Sequence, residues 1–305
     1  MPGSRNRRAR LEVMARRIVI TGAGGQVGRF LTGEAARRGY EVSALTHREW
    51  DITDPAAAER FVAENDLVVN CAAFTDVDGA EADPEGAYAI NATGAENVAH
   101  ACARVGAHLV HISTDYVFGG EQHHPYDVGD TANPLSVYGR TKLAGELAVL
   151  AALPGANVVR TSWVYTGGAG TDFVAVMRRL AATDRTVDVV DDQIGSPTYA
   201  KDLVGALLEA GESHIREPIL HAANEGAVSR FEQARAVFEE VGADPERVRP
   251  VSTAQAPRRA RRPVYSALSM ETSVRAGLTP LRPWRQALAE ALAQPLDDGR
   301  ITSTP

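Results

Sequence analysis

The chain has 305 residues, 44% hydrophobic and 23% charged, enough core for one large or two small domains, with a formal net charge of −7. No apolar run reaches the roughly 18 residues of a membrane-spanning helix, and a negative balance is the wrong sign for a general nucleic-acid clamp, so neither a membrane nor a nucleic acid is expected as a partner. Two cysteines, Cys71 and Cys102, without CxxC or metal-ligand spacing, exclude a disulfide scaffold and a structural zinc site; both read as small buried apolar residues.

Residues 1–14 read as a flexible basic extension, with Arg5, Arg7, Arg8 and Arg10, no secretory apolar core behind them, and Met14 as an alternative start. The expected address is cytoplasmic. From there short apolar runs alternate with helix-period segments. Arg17–Thr21 reads as a strand, Gln26–Arg38 as a helix ended by Gly39, and Glu41–Leu45 as a second strand. Pro55–Glu64 reads as a helix with Asp54 as N-cap, Leu67–Asn70 as a third strand, and Pro84–Val105 as a long helix. A strand over Ala107–Ile112, a helix over Val137–Ala152 and a strand over Asn157–Arg160 follow. Continuous apolar strands alternating with helices predict an α/β fold: a Rossmann-type, doubly wound parallel sheet covered on both faces.

Beyond residue 165 the alternation loosens. Helices are expected at Phe173–Ala182, Ala200–Ala210, Phe231–Val241 (Ser229 as N-cap) and Trp284–Ala293, with a strand at Ile219–Ala222. The expected organisation is a dinucleotide-binding domain over 15–165, then a smaller C-terminal substrate-binding lobe over 166–295, interleaved with the first. A polar tail follows at 296–305. Ligands of open parallel sheets bind beyond the carboxyl ends of the strands, so the site is expected between that rim and the second lobe.

Thr21-Gly22-Ala23-Gly24-Gly25-Gln26-Val27-Gly28 joins the first strand to the first helix. Gly22 and Gly25 permit a tight turn and close approach of a pyrophosphate, Gly28 lets the helix sit near the sheet, and the helix N-terminus offers N–H groups and a positive dipole end. After the second strand comes Thr46-His47-Arg48 rather than the acidic residue that would bind a ribose 2′-hydroxyl, and Arg48 suits a 2′-phosphate. NADPH is therefore the expected cofactor, with NADH as the alternative. Asp51 and Ile52 lie where such folds cover the adenine.

Tyr138-Gly139-Arg140-Thr141-Lys142 opens a helix, with Tyr138 and Lys142 one turn apart on one face. A neighbouring ammonium and a cationic nicotinamide would favour phenolate and are expected to lower the Tyr138 pKa, making Tyr138 a general acid or base. Lys142 would also hold the nicotinamide ribose. Ser113-Thr114-Asp115-Tyr116 ends the fourth strand on the same rim, where the Thr114 hydroxyl would reach the substrate oxygen that Tyr138 protonates.

The chain resembles the extended short-chain dehydrogenase/reductases and, within them, the dTDP-4-dehydrorhamnose reductases. The matching stretches are GAGGQVG (22–28), NCAAFTDVDGAE (70–81), INATGAENVA (90–99), HISTDYVF (111–118) and YGRTK (138–142). RTSWVY (160–165), DQIGSPT (192–198) and RRPVYSALS (261–269) continue the resemblance, which runs from about 17 to about 293. It implies reduction of the C4 ketone of dTDP-4-dehydro-L-rhamnose to dTDP-L-rhamnose. By resemblance, Gly25, Gln26, Val27, Asp51, Ile52, Ala73, Phe74 and Thr75 touch the cofactor. Thr114 and Asp115 face the sugar, Tyr138 is the proton donor, Lys142 binds cofactor and Trp163 packs on the sugar ring. Arg262 is either structural or close to the nucleotide diphosphate. Some relatives carry a metal-binding glutamate where this chain has Phe30, so no metal is expected, and the chain is read as a monomer or weak homodimer. Phe74 stands where Tyr or His is common. The alternatives are a reductase of another nucleotide-activated 4-keto-deoxysugar and a non-catalytic NADP-binding regulatory subunit.

Overall fold

A computed structural model describes residues 17–168, 170–213 and 215–293. The basic extension at 1–14 and the tail at 296–305 lie outside the described residues. The first half runs β1 (Arg17–Thr21), α1 (Gln26–Arg37), β2 (Glu41–Leu45), α2 (Pro55–Phe61), β3 (Leu67–Asn70), α3 (Val77–Ala80) and α4 (Pro84–Tyr88). A π-helical turn over Ala89–Gly94 leads into α5 (Ala95–Val105), then β4 (His108–Thr114), α6 (Val137–Ala152) and β5 (Asn157–Thr161). The second half adds β6 (Val164–Tyr165), α7 (Phe173–Ala181), β7 (Val187–Val190), β8 (Ile194–Gly195), β9 (Thr198–Tyr199) and α8 (Ala200–Glu212). It ends with β10 (Ile219–His221), β11 (Val228–Ser229), α9 (Arg230–Glu240), β12 (Val248–Val251), α10 (Glu271–Arg275) and α11 (Trp284–Ala293).

Six strands form one parallel sheet in the order β10-β5-β4-β3-β1-β2. The two-residue period sends Ile18, Ile20, Val69, Val110 and Val159 to one face, against Leu31 of α1 and Leu203 and Leu207 of α8. It sends Val19, Val68, Leu109 and Val158 to the other, against Val98 and Cys102 of α5 and Val149 of α6. The strand order reverses between β1 and β3, which opens a crevice at the carboxyl rim. A further core gathers Tyr165, Val174, Met177, Val189, Phe238, Val248 and Leu288 beside the sheet. The second half thus builds that core and also supplies α8 and β10 to the sheet.

Several elements differ from the sequence reading. The helix at 55 stops at Phe61 because Val62 turns to extended backbone, although Asp54 caps it by accepting from the Ala56 N–H. The helix expected over 84–105 is interrupted by its π-helical turn. The fourth strand runs on to Thr114. Ser229 caps α9 in a reciprocal capping box with Glu232. The paired strands β7 and β12 carry too little alternation to be read locally. Cys102 is buried, Cys71 half-buried, and both are free thiols whose pKa values burial pushes up to about 12.

Candidate active site

The glycine turn lies at the crevice. Gly22 has φ 61°, in the left-handed region, and a Cβ there would fall 2.7 Å from the Ala72 backbone. A Cβ on Gly28 would fall 2.7 Å from Ala23 Cα, so α1 comes this near the turn only with glycine present. Gly25 is the N-cap of α1; it offers no side-chain cap, and the first turn holds no acidic residue. N–H groups at this end meet no competing carboxylate of their own, and the cradle fits a dinucleotide pyrophosphate. Val27 packs against the core, and Gln26 Nε2 donates to Asp172 Oδ2 at 3.3 Å, tying the turn to the cap of α7.

After β2, the Glu49 carboxylate accepts from the Thr46 N–H and hydroxyl, each at 2.8 Å. It is folded onto its own turn, while Arg48 is exposed beside it. Asp51 accepts from the Thr53 N–H and hydroxyl, and Ile52 is buried. In the loop after β3, Phe74 is clamped by Asn91: its N–H donates to Asn91 Oδ1 at 2.8 Å and its carbonyl accepts from Asn91 Nδ2 at 3.1 Å. The same amide nitrogen donates to Thr141 Oγ1 at 3.0 Å. Asn91 sits in the π-helical turn, a feature frequent at functional sites, and so links the 73–75 loop to α6. Ala73 and Phe74 are half-buried and Thr75 is exposed.

Tyr138 and Lys142 lie in the first turns of α6, whose N-cap Ser136 accepts from the Gly139 N–H. The protein's own groups do not lower Tyr138. Burial pushes its phenol above the ordinary tyrosine value, a hydrogen bond with Thr114 opposes this, and the charges of Asp115 and Tyr116 add to the rise. Lys142 is not among these influences. Its Nζ donates instead to the Ile112 carbonyl at 2.6 Å, and burial lowers it to about 8, against the opposing charges of Glu146 and Cys71. A buried phenol without a facing cation keeps its proton at neutral pH, which suits a proton donor.

Thr114 Oγ1 donates to Asp115 Oδ1 at 3.1 Å. Asp115 Oδ2 accepts from Ser162 Oγ at 2.9 Å and Ser266 Oγ at 2.6 Å. Burial raises the Asp115 carboxyl to about 6 while the three hydroxyls pull it down. Trp163 adopts φ 48°. One face of its indole carries the Arg230 guanidinium, 3.5 Å from the ring centroid, and its edge lies on Gly195, where a Cβ would fall 2.6 Å from Cζ2. Arg230 also lies over Phe173, and burial lowers its pKa to about 10. Arg262 pairs with Asp78 at 2.8 and 3.1 Å, holding Asp78 down to about 2 and fastening the segment around Ala260 to α3.

Tyr138, Thr114 and Asp115 are therefore brought together, and Lys142 lies behind them. Arg262 is engaged by Asp78. Ser162, Ser266, Arg230, Gly195 and Asn91 were not singled out from sequence, although all but Arg230 lie within a quoted stretch. Phe30 packs edge-on against Tyr199. Among the described residues no group of three or more His, Cys, Asp or Glu could hold a metal, and no helix is long and apolar enough to cross a membrane.

The family described as RmlD substrate binding domain matches residues 16–296. A dTDP-4-dehydrorhamnose reductase of Mycobacterium tuberculosis is 63% identical over 296 residues, covering 94% of this chain and 97% of its own. A protein of the same name from Mycolicibacterium smegmatis is 60% identical over 308 residues, covering 100% of this chain and 94% of its own. The crystal structure of dTDP-4-dehydrorhamnose reductase from Bacillus anthracis in complex with NADP aligns with a TM-score of 0.86 at 36% identity, covering 92% of this chain and 99% of that one.

Proposed function

The chain belongs to the RmlD substrate binding domain family, and on that premise we propose that it is an NADPH-dependent oxidoreductase reducing the C4 ketone of dTDP-4-dehydro-L-rhamnose to dTDP-L-rhamnose. The observation that carries this reading is the convergence of Thr114, Asp115 and Tyr138 on the carboxyl rim that also bears the glycine cradle. Gly22, Gly25, Gln26, Val27 and Gly28 would hold the pyrophosphate, and Arg48 the 2′-phosphate, with Glu49 drawn onto Thr46. Asp51 and Ile52 would flank the adenine. Ala73, Phe74 and Thr75 would line the dinucleotide, their loop kept in register by Asn91. When bound, the reduced nicotinamide supplies the hydride to the C4 carbon.

Tyr138 gives its proton to the C4 oxygen as charge develops there. Its buried phenol favours the neutral form before the reaction and sits in a medium where a hydrogen bond to a developing oxyanion is strong. The Thr114 hydroxyl steadies the same oxygen. Lys142 holds the cofactor side of the site. Asp115, braced by Ser162 and Ser266, accepts from a sugar hydroxyl, and Trp163 offers its free indole surface to the apolar side of the deoxyhexose. Arg230 adds positive charge beside Trp163 for the nucleotide diphosphate, whereas Arg262 fixes the wall through Asp78.

The test is turnover with the sugar generated in situ, followed by near-ultraviolet absorbance and by identifying the product. Rapid NADPH oxidation yielding dTDP-L-rhamnose is expected. Binding of NADPH without turnover would point to a regulatory subunit, and turnover only with another 4-keto sugar would overturn the assignment of substrate.

A further inference from the structure

Behind the site a file of buried polar side chains runs from β1 to Lys142, and the mechanism above makes no use of it. The Thr21 hydroxyl donates to Asn70 Oδ1 at 2.6 Å, and the Ala72 N–H donates to the same oxygen at 3.2 Å. A backbone N–H only donates, so the side of the Asn70 amide that meets Ala72 is its oxygen. The amide nitrogen then faces His111, with Nδ2 3.1 Å from Nδ1. An amide NH₂ donates, so His111 Nδ1 accepts and carries no proton. The neutral ring therefore bears its hydrogen on Nε2. That nitrogen lies 3.5 Å from Lys142 Nζ. An imidazole N–H pointed at Nζ is matched by the lone pair of an amine and opposed by an ammonium.

We propose that Thr21, Asn70 and His111 are positioning residues for Lys142: they fix His111 as its Nε2–H tautomer and so weaken the hold of Lys142 on its proton. The proposal rests on the reading of Lys142 as part of the reaction site. Thr21 and His111 are fully buried and Asn70 is nearly so, which removes the water that would otherwise let either end of the amide or ring pair indifferently. The titratable groups that act on Lys142 are His111 of β4, Cys71 after β3 and Glu146 one turn away on α6, with Glu146 itself paired to Arg160 of β5. Glu146 and Cys71 favour the ammonium, burial disfavours it, and the balance falls at about 8. His111 is held well below its ordinary value by burial and by Lys142, so it stays neutral and its tautomer persists through the working pH range.

The tautomer is read directly in the whole wild-type enzyme labelled with ¹⁵N-histidine, by long-range ¹H–¹⁵N correlation, with the His111 signals identified by their loss in His111→Gln. The expected pattern is a protonated Nε2 and a bare Nδ1; a protonated Nδ1 overturns the proposal. The second arm is Asn70→Asp, whose carboxylate still accepts from Thr21 and Ala72 and now draws the His111 proton to Nδ1. The Nε2 lone pair then meets Lys142. The alkaline limb of the pH profile of kcat/KM is expected to rise by about one pH unit, together with the change of tautomer. A limb that stays in place after the tautomer has changed overturns it. The wild-type spectrum needs no turnover, so a failure here is separate from a failure of the reductase reading, which the Tyr138→Phe enzyme tests.

Discussion

Gly195→Ala probes the sugar wall with the smallest possible change. A Cβ at that position falls 2.6 Å from Trp163 Cζ2 and 2.7 Å from Nε1, whereas carbon contacts settle near 3.5–4.0 Å. The indole must retreat by about 1 Å. It has little freedom to do so: its backbone is at φ 48°, and the Arg230 guanidinium stands 3.5 Å from its ring centroid. Overpacking of this kind costs about 1–3 kcal/mol, and a loosened cation–π stack in a desolvated site costs up to about 2 kcal/mol. Where about 1.4–2.8 kcal/mol of that loss is felt in the transition state, kcat/KM for the sugar nucleotide falls roughly 10–100-fold. The glycine cradle lies on other elements, so the NADPH dissociation constant, read by fluorescence, stays within about twofold of wild type. A folded Gly195→Ala enzyme with unchanged kcat/KM would refute the placing of Trp163 at the sugar.

Other changes test other parts. Glu146→Gln leaves Arg160, only 4% exposed in its side chain, without its carboxylate in the interior; unfolding free energy should fall by about 3–5 kcal/mol, seen as a lower denaturant midpoint, and an unmoved midpoint would count against the pair as the tie between α6 and β5. Asp115, raised from 3.8 to about 6, binds its proton more tightly folded than unfolded, so its contribution falls as pH rises from about 4 to about 6 and is fully lost above that, about 3 kcal/mol in all. The stability difference between wild type and Asp115→Asn should change across that window, and a constant difference would refute the burial argument. Arg48→Ala should raise the KM for NADPH roughly tenfold with little change for NADH, a loss of one charge-assisted phosphate contact; an equal effect on both would remove Arg48 from the 2′-phosphate.

What was legible in the sequence is what the chain decides locally. The helix over Val137–Ala152 and the last helix over Trp284–Ala293 have the bounds read from their periodicity. Tyr138 and Lys142 share the opening of one helix, and Thr114 and Asp115 end one strand, so their approach follows from one register of the sheet. The protein's own effect on Tyr138 did not follow, because spacing gives neighbours and not depth: burial is its largest influence, and Lys142 Nζ is held by the Ile112 carbonyl. The π-helical turn at Ala89–Gly94 has no local signature, since it is set by packing of Asn91 between Phe74 and Thr141. Ser266 reaches Asp115 from 151 residues away, and Arg230 of α9 meets Trp163 from far along the chain; only the assembled fold defines either contact.

The central claim is that Tyr138 supplies the proton to the reduced oxygen. Tyr138→Phe keeps the ring, its edge-on contact with Tyr116 and the packing of α6, and removes one hydroxyl. Its kcat with dTDP-4-dehydro-L-rhamnose and NADPH should fall by about 10²–10⁴-fold, as for loss of a general acid, while NADPH binding measured by fluorescence is retained. A variant that turns over at near the wild-type kcat would contradict the account and give the proton to another group.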